Sequence, residues 1–130
     1  MDFTLFEDVT SISAIYKDAL PTLTNIEVVK ITILTGEETE LILTLDTIEL
    51  PETLPAKWLQ RNVNTIQFEF DFIDVDIKKF CLSKGMNYSF IIQYEDNMNV
   101  IILKNLSTQK EITFKSDGIK VDVYQKSVWI

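Results

Sequence analysis

The chain has 130 residues, 46% of them hydrophobic and only three each glycine and proline, so its composition excludes a disordered or collagen-like protein. Twenty acidic residues against twelve basic ones give a net charge of −8, which repels phosphate backbones and anionic membranes. We therefore expect one compact domain over residues 1–130 that takes neither nucleic acid nor a membrane as its partner.

The residue types that are missing exclude several classes of enzyme. Without histidine the chain has no Ser-His-Asp or Cys-His arrangement, and its single cysteine, Cys81, forms no internal disulfide and no cysteine-based zinc site. Gly36, Gly85 and Gly118 are isolated, so no glycine-rich phosphate loop is present. We predict a non-enzymatic protein without cofactor or metal. The sequence shows no signal peptide and no membrane span, which predicts a cytoplasmic location.

The first predicted element is a short amphipathic helix over residues 9–20. Apolar residues recur there at helical spacing, Asp8 or Ser11 is a candidate N-cap, and Pro21 ends the helix. Alternating apolar residues then predict two strands, over residues 29–33 and 41–45. The Gly36 turn joins them into a hairpin.

The segment over residues 51–55 follows this hairpin and contains two prolines. It predicts a loop that ends near Trp58, because a proline has no N–H for a sheet ladder. Trp58 either packs under this loop or stands out as an interface anchor.

The clearest strand pattern lies between residues 64 and 72. Apolar side chains alternate there with polar ones, which gives one buried face and one acidic outer face. The apolar row is Ile66, Phe68, Phe70 and Phe72, and the outer row is Gln67, Glu69 and Asp71.

The alternation changes phase after Phe72, because Ile73, Val75 and Ile77 are apolar at odd positions. The chain must turn or bulge there, and two strands or one kinked strand explain the pattern. A helix over residues 74–83 is the alternative.

Two further hairpins are predicted in the last third of the chain. They combine residues 88–94 with 100–103, and residues 112–114 with 119–123, and residues 128–130 add a last short edge. The predicted fold is therefore mainly β. We expect antiparallel sheets in a sandwich or a strongly curled sheet, with one short N-terminal helix.

Two carboxylate patterns suggest metal chemistry. Asp76 and Lys78 share one strand face and could orient a metal-bound water if another acid such as Asp46 were adjacent. Asp71, Asp74 and Asp76 have a superficial calcium spacing, but no glycine turn or closing glutamate follows. Solvated surface charge is the favoured interpretation of both patterns.

The order of features resembles the immunity protein 50 family of bacterial toxin systems. The matching features are Pro21-Thr22-Leu23, Glu27-Val28, the strand Leu41 to Glu49, Pro55-Ala56-Lys57-Trp58, the phenylalanine-rich strand with its phase change, and the pair from Ile112-Thr113-Phe114 to Val121. This resemblance implies a protein that binds and blocks a cognate toxin made by the same cell.

A basic toxin is the expected partner, because an acidic inhibitor associates faster with a target of opposite charge. The residues predicted to contact it are clustered acids and one aromatic side chain: Glu69, Asp71, Asp74, Asp76, Glu49, Glu52 and Trp58. The alternative function is a structural or accessory β domain that forms homo-oligomers through an exposed edge at residues 127–130. A monomer is favoured over an oligomer.

Overall fold

A computed structural model describes residues 10–17, 20–52, 56, 63–83 and 86–126, with residues 122–126 as backbone only. These residues form one short helix and eight strands. Their bounds are α1 Thr10–Tyr16, β1 Glu27–Leu34, β2 Glu40–Thr47, β3 Thr65–Ile73, β4 Asp76–Phe80, β5 Tyr88–Glu95, β6 Met98–Asn105, β7 Glu111–Ser116 and β8 Gly118–Lys126. Trp58 and the predicted edge at residues 128–130 lie outside the described residues.

The helix is shorter than predicted because its C-terminal end turns early. Lys17 adopts a left-handed backbone with φ 56°, and its N–H donates to the Ser13 carbonyl over 2.8 Å. A left-handed residue after the last turn is a common way for a helix to stop. Ser11 lies inside the helix, so the prediction that it caps the start is wrong. In the described part of the chain, no helix combines the length and the apolar character needed to cross a membrane.

Two four-stranded antiparallel sheets make up the fold. The first sheet has the order β1-β2-β3-β8 and the second has the order β4-β7-β6-β5. The predicted hairpins β1–β2 and β5–β6 are both present. The predicted hairpin of residues 112–123 is wrong, because β7 pairs with β4 and β6 while β8 pairs with β3. Residues 116–118 therefore carry the chain from one sheet to the other.

Phenylalanine side chains fill the space between the sheets and confirm the sandwich. Phe70 and Phe72 of β3 are fully buried and face the second sheet. Phe70 meets Phe90 of β5 edge to face at 4.9 Å between ring centroids, and Phe72 meets Phe114 of β7 in the same way at 4.9 Å. This geometry is one that aromatic rings prefer, and the inner faces of packed sheets interdigitate in this manner.

The change of phase after Phe72 marks the passage from the first sheet to the second. Strand β3 ends at Ile73, Asp74 takes a left-handed backbone with φ 54°, and β4 begins two residues later. Val75 can then point into the same core from the other layer, where it is buried. The prediction of two strands is confirmed. The alternative of a helix over residues 74–83 is wrong, since residues 76–80 pair with β7.

The buried phenylalanines should dominate stability. Replacing Phe72 by alanine removes a ring that contacts both Phe90 and Phe114, and we expect it to lower the free energy of unfolding by about 3–5 kcal/mol. Urea denaturation measures this loss. The control is Ile48→Ala, whose side chain is 77% exposed and whose loss should change the free energy by less than about 0.5 kcal/mol. Equal effects of both substitutions would contradict the assigned core.

Candidate partner-binding surface

The outer face of the first sheet carries the acidic row that the sequence predicts. Glu69 and Asp71 are both half-buried in the third strand of this sheet. Asp71 is flanked by Ile42 on β2 and by Lys120 on β8, which are its register partners. The outer face is therefore mixed in character, since an apolar side chain and a lysine border the acids.

Asp71 belongs to a carboxyl pair with Glu40. Together its surroundings raise the pKa of the Asp71 carboxyl from 3.8 to about 6. Burial is the largest cause, followed by a hydrogen bond with Glu40 and the negative charge of Glu40; Glu69 adds to the shift and Lys120 opposes it. One oxygen of Asp71, Oδ1, is buried without a hydrogen-bond partner. A hydrogen bond between two carboxyl groups needs a proton, so this pair responds to pH.

The raised pKa of Asp71 predicts a pH-dependent stability. The folded protein holds this proton more tightly than the unfolded chain, so stability falls as the pH rises from about 4 to about 6. Asp71→Asn should remove that fall and stabilise the protein at pH 7 by about 1 kcal/mol, discounted for solvent screening, with a vanishing difference near pH 4. Thermal unfolding between pH 4 and pH 8 measures it. Glu69→Gln is the control and should keep the fall, and a parallel pH profile of Asp71→Asn and wild type would refute this account.

A denser group of carboxylates lies where four turns meet at one end of the sandwich. The turns are those between β1 and β2, β3 and β4, β5 and β6, and β7 and β8. Each has one or two acidic residues and no lysine or arginine, and Glu95, the last residue of β5, adds one more acid beside its turn. The six side chains are all exposed: Glu37, Glu38, Asp74, Glu95, Asp96 and Asp117. We call this set the acidic end.

Hydrogen bonds tie the four turns together. The Val75 N–H donates to the Thr39 carbonyl over 2.9 Å, which joins the β3–β4 turn to the end of the β1–β2 turn. The Asp117 N–H donates to the Ile73 carbonyl over 3.0 Å. The Asn99 amide, beside the β5–β6 turn, donates to the Asp117 carbonyl over 3.3 Å. The acids of the acidic end are therefore held on one side of the molecule.

The sequence prediction found one member of the acidic end, Asp74, and missed the other five. A signal for them exists in the chain order. In consecutive antiparallel strands every second turn falls at the same end, and all six acids lie in or beside the turns that follow β1, β3, β5 and β7. The alternation of side chains along a strand shows its two faces, but it does not show which turns lie together.

Asp76 lies on a different sheet from Glu69 and Asp71, and it is paired. Its carboxylate contacts the Lys78 ammonium at 2.6 Å, and both side chains are largely exposed. Asp46 lies on the first sheet near its other end, as the register partner of Gln67. The condition for metal chemistry at Asp76, an adjacent Asp46, is therefore not met. Among the described residues no group of three or more acids or cysteines is placed to hold a metal ion.

Glu49 organises the chain around it. Its carboxylate accepts hydrogen bonds from the Thr22 N–H at 2.9 Å, from the Thr22 hydroxyl at 3.0 Å, and from the Leu23 N–H at 3.3 Å. Its backbone carbonyl accepts the Tyr16 hydroxyl at 2.6 Å. Burial, and next the charge of Glu49, raise the pKa of Tyr16 above its ordinary range. Glu49 thus fastens the segment after the helix to the segment after β2, whereas Glu52 is exposed.

Because Glu49 accepts these backbone hydrogen bonds, its removal should be costly. Glu49→Ala leaves the N–H groups of Thr22 and Leu23 without their acceptor, and we expect a loss of about 1–2 kcal/mol in the free energy of unfolding. Glu52→Ala removes the same charge three residues later and should change it by less than about 0.5 kcal/mol. Chemical denaturation of both variants compares them, and indistinguishable midpoints would refute the fastening role.

The described residues define an antiparallel β-sandwich that presents carboxylates on the turns at one end. The model of the family described as immunity protein 50 matches residues 9–126, which is most of the chain. The chain belongs to the immunity protein 50 family. None of the curated proteins and none of the solved structures matches it.

Proposed function

We propose that this protein binds a cognate bacterial toxin directly and neutralises it, and that the acidic end is a principal contact surface. Membership of the immunity protein 50 family supports the neutralising role. The acidic end is the observation that carries the choice of surface. We further propose that the protein acts without catalysis, as a monomer in the cytoplasm, where it meets the toxin before secretion.

Electrostatics favours a basic partner for this surface. Six exposed carboxylates on or beside four hydrogen-bonded turns create a negative potential that attracts lysine or arginine side chains. Complementary charge of this kind accelerates association and makes the rate depend on salt. An inhibitor that must capture a toxin quickly benefits from a fast association rate.

The acidic end extends onto the outer face of the first sheet. Glu40 begins β2 and Asp71 lies near the end of β3, so this pair adjoins the acidic turns. Glu69 continues the row away from that end. Asp76 forms an ion pair with Lys78, which reduces the negative charge that Asp76 presents to a partner. Contact through Trp58 remains a prediction, since that residue lies outside the described part of the chain.

Charge reversal tests this surface. Asp96→Lys and Asp117→Lys change exposed turn residues, so both variants should fold normally and should slow association with the toxin by about 2- to 10-fold each at low salt. The partners to test are the products of the genes next to the one that encodes this protein, each purified as an inactive variant. Surface plasmon resonance at two salt concentrations measures the rates, and growth of a host that expresses the active toxin measures protection.

The matched control is Glu52→Lys. The sequence groups Glu52 with the predicted contacts, but this exposed acid lies in the segment that follows β2, at the other end of the strands, so the proposed surface does not include it. Glu52→Lys should leave association within about twofold of wild type. Slower association only with Glu52→Lys would place the contact at the opposite end and overturn the proposed surface. A wild-type protein that neither binds the toxin nor protects the host would overturn the proposed function itself.

A further inference from the structure

A pocket of about 270 Å³ lies at the end of the sandwich opposite the acidic end. Its described lining comes from residues 25–27, 46–48, 64–65 and 86–87, where β1, β3 and β5 begin and β2 ends. Asn25 and Asn87 both have left-handed backbones, with φ 62° and 63°, and the Ile26–Tyr88 bridge holds their segments together. Asparagine tolerates this conformation well, so the local sequence suits the turns that build the pocket.

The polar lining of the pocket combines two carboxylates with asparagine and threonine side chains, and it carries negative charge. Glu27 and Asp46 are register partners across β1 and β2. Asp46 is only 7% exposed, and its Oδ1 accepts a hydrogen bond from the Gln67 amide over 2.9 Å. Asparagine and threonine side chains add amide and hydroxyl oxygens. The described lining includes no lysine or arginine.

The apolar lining and the size of the pocket restrict what fits. Ile48 is 77% exposed and Met86 is 66% exposed, the largest values among the described large hydrophobic side chains. A space of about 270 Å³ is many times what one water molecule needs, so it can hold one long side chain. Exposed apolar groups beside buried acceptors resemble the centre of a protein interface, where one anchor residue is enclosed.

We propose that this pocket receives an arginine side chain of the partner. The inference rests on the proposed function, because it assigns the partner to the same toxin. A guanidinium carries five N–H donors in one plane and a permanent positive charge, so it can form an ion pair with Glu27 and donate hydrogen bonds to the surrounding oxygens at the same time. Its methylene groups pack against Ile48 and Met86. A lysine offers three donors at one point and uses fewer of these acceptors.

The pocket is first tested without any toxin. The full-length protein is titrated with Nα-acetyl-L-arginine methylamide while amide chemical shifts are followed by NMR. We expect shifts at residues 25–27 and 46–48 with a dissociation constant on the order of 1 mM, as suits so small a ligand. The corresponding citrulline derivative, which has the same shape and no charge, should bind at least about tenfold more weakly. Equal binding of both compounds, or shifts confined to other residues, would overturn the proposal.

Glu27→Gln supplies the matching variant, because its exposed side chain should not be needed for folding. It should weaken arginine binding at least about tenfold, whereas Glu52→Gln, with the same loss of charge outside the pocket, should not. Toxin dissociation then separates the two proposals. A toxin that binds wild type and Glu27→Gln equally tightly overturns the pocket proposal and leaves the proposed function standing. A protein that binds the arginine compound but no toxin overturns the proposed function, and with it the assignment of the bound arginine to a toxin.

Discussion

The carbonyl oxygen of Ile73 accepts two hydrogen bonds, from the Ser116 hydroxyl at 2.8 Å and from the Asp117 N–H at 3.0 Å. Both passages of the chain between the sheets, β3 to β4 and β7 to β8, occur at this carbonyl. Ser116 is fully buried, and its hydroxyl also lies 2.8 Å from the Gly118 carbonyl, so its single hydrogen is shared between the two carbonyls and the second passage turns around it. The relative placement of the two layers, and with it the gathering of four turns at the acidic end, depends on this junction.

The core was the easiest part of the molecule to predict. A strict alternation of phenylalanines has one physical solution, a strand with a buried face, and the structure places Phe68, Phe70 and Phe72 at 0% exposure. The loss of phase after Phe72 also located the passage between the sheets. The pairing of β7 and β8 was not predictable in this way, because a tight turn between two strands looks the same whether they pair with each other or separate into different layers.

The candidate surface was harder to predict, since it depends on contacts between residues far apart in sequence. Nothing local marks Glu40 as the partner of Asp71, and only the register of β2 against β3 brings them together. In the sequence Glu49 looks like a free surface acid, yet it accepts hydrogen bonds from Thr22 and Leu23, which lie 27 and 26 positions earlier in the chain. Charge composition predicts that an acidic surface exists, whereas topology decides where it lies.

The acidic end and the pocket beside Glu27 and Asp46 are separated by about the length of one strand. The nine residues of β3 span roughly 26 Å at about 3.3 Å per residue, while one side of a standard interface, ~800 Å², is about 30 Å across. A partner that covered both would therefore lie along the strands, where Glu69 occupies the middle of the outer face.

The acidic turns are held by main-chain atoms to a large extent, and this has a consequence for how the family can diverge. The bonds from Val75 to Thr39 and from Asp117 to Ile73 join backbone groups, so they do not depend on which side chains these turns carry. Substitutions at Glu37 or Asp96 can alter charge and shape without disturbing the phenylalanine core. Related chains can thus change the charge and shape of this end through turn residues alone, while the sandwich that presents them stays the same.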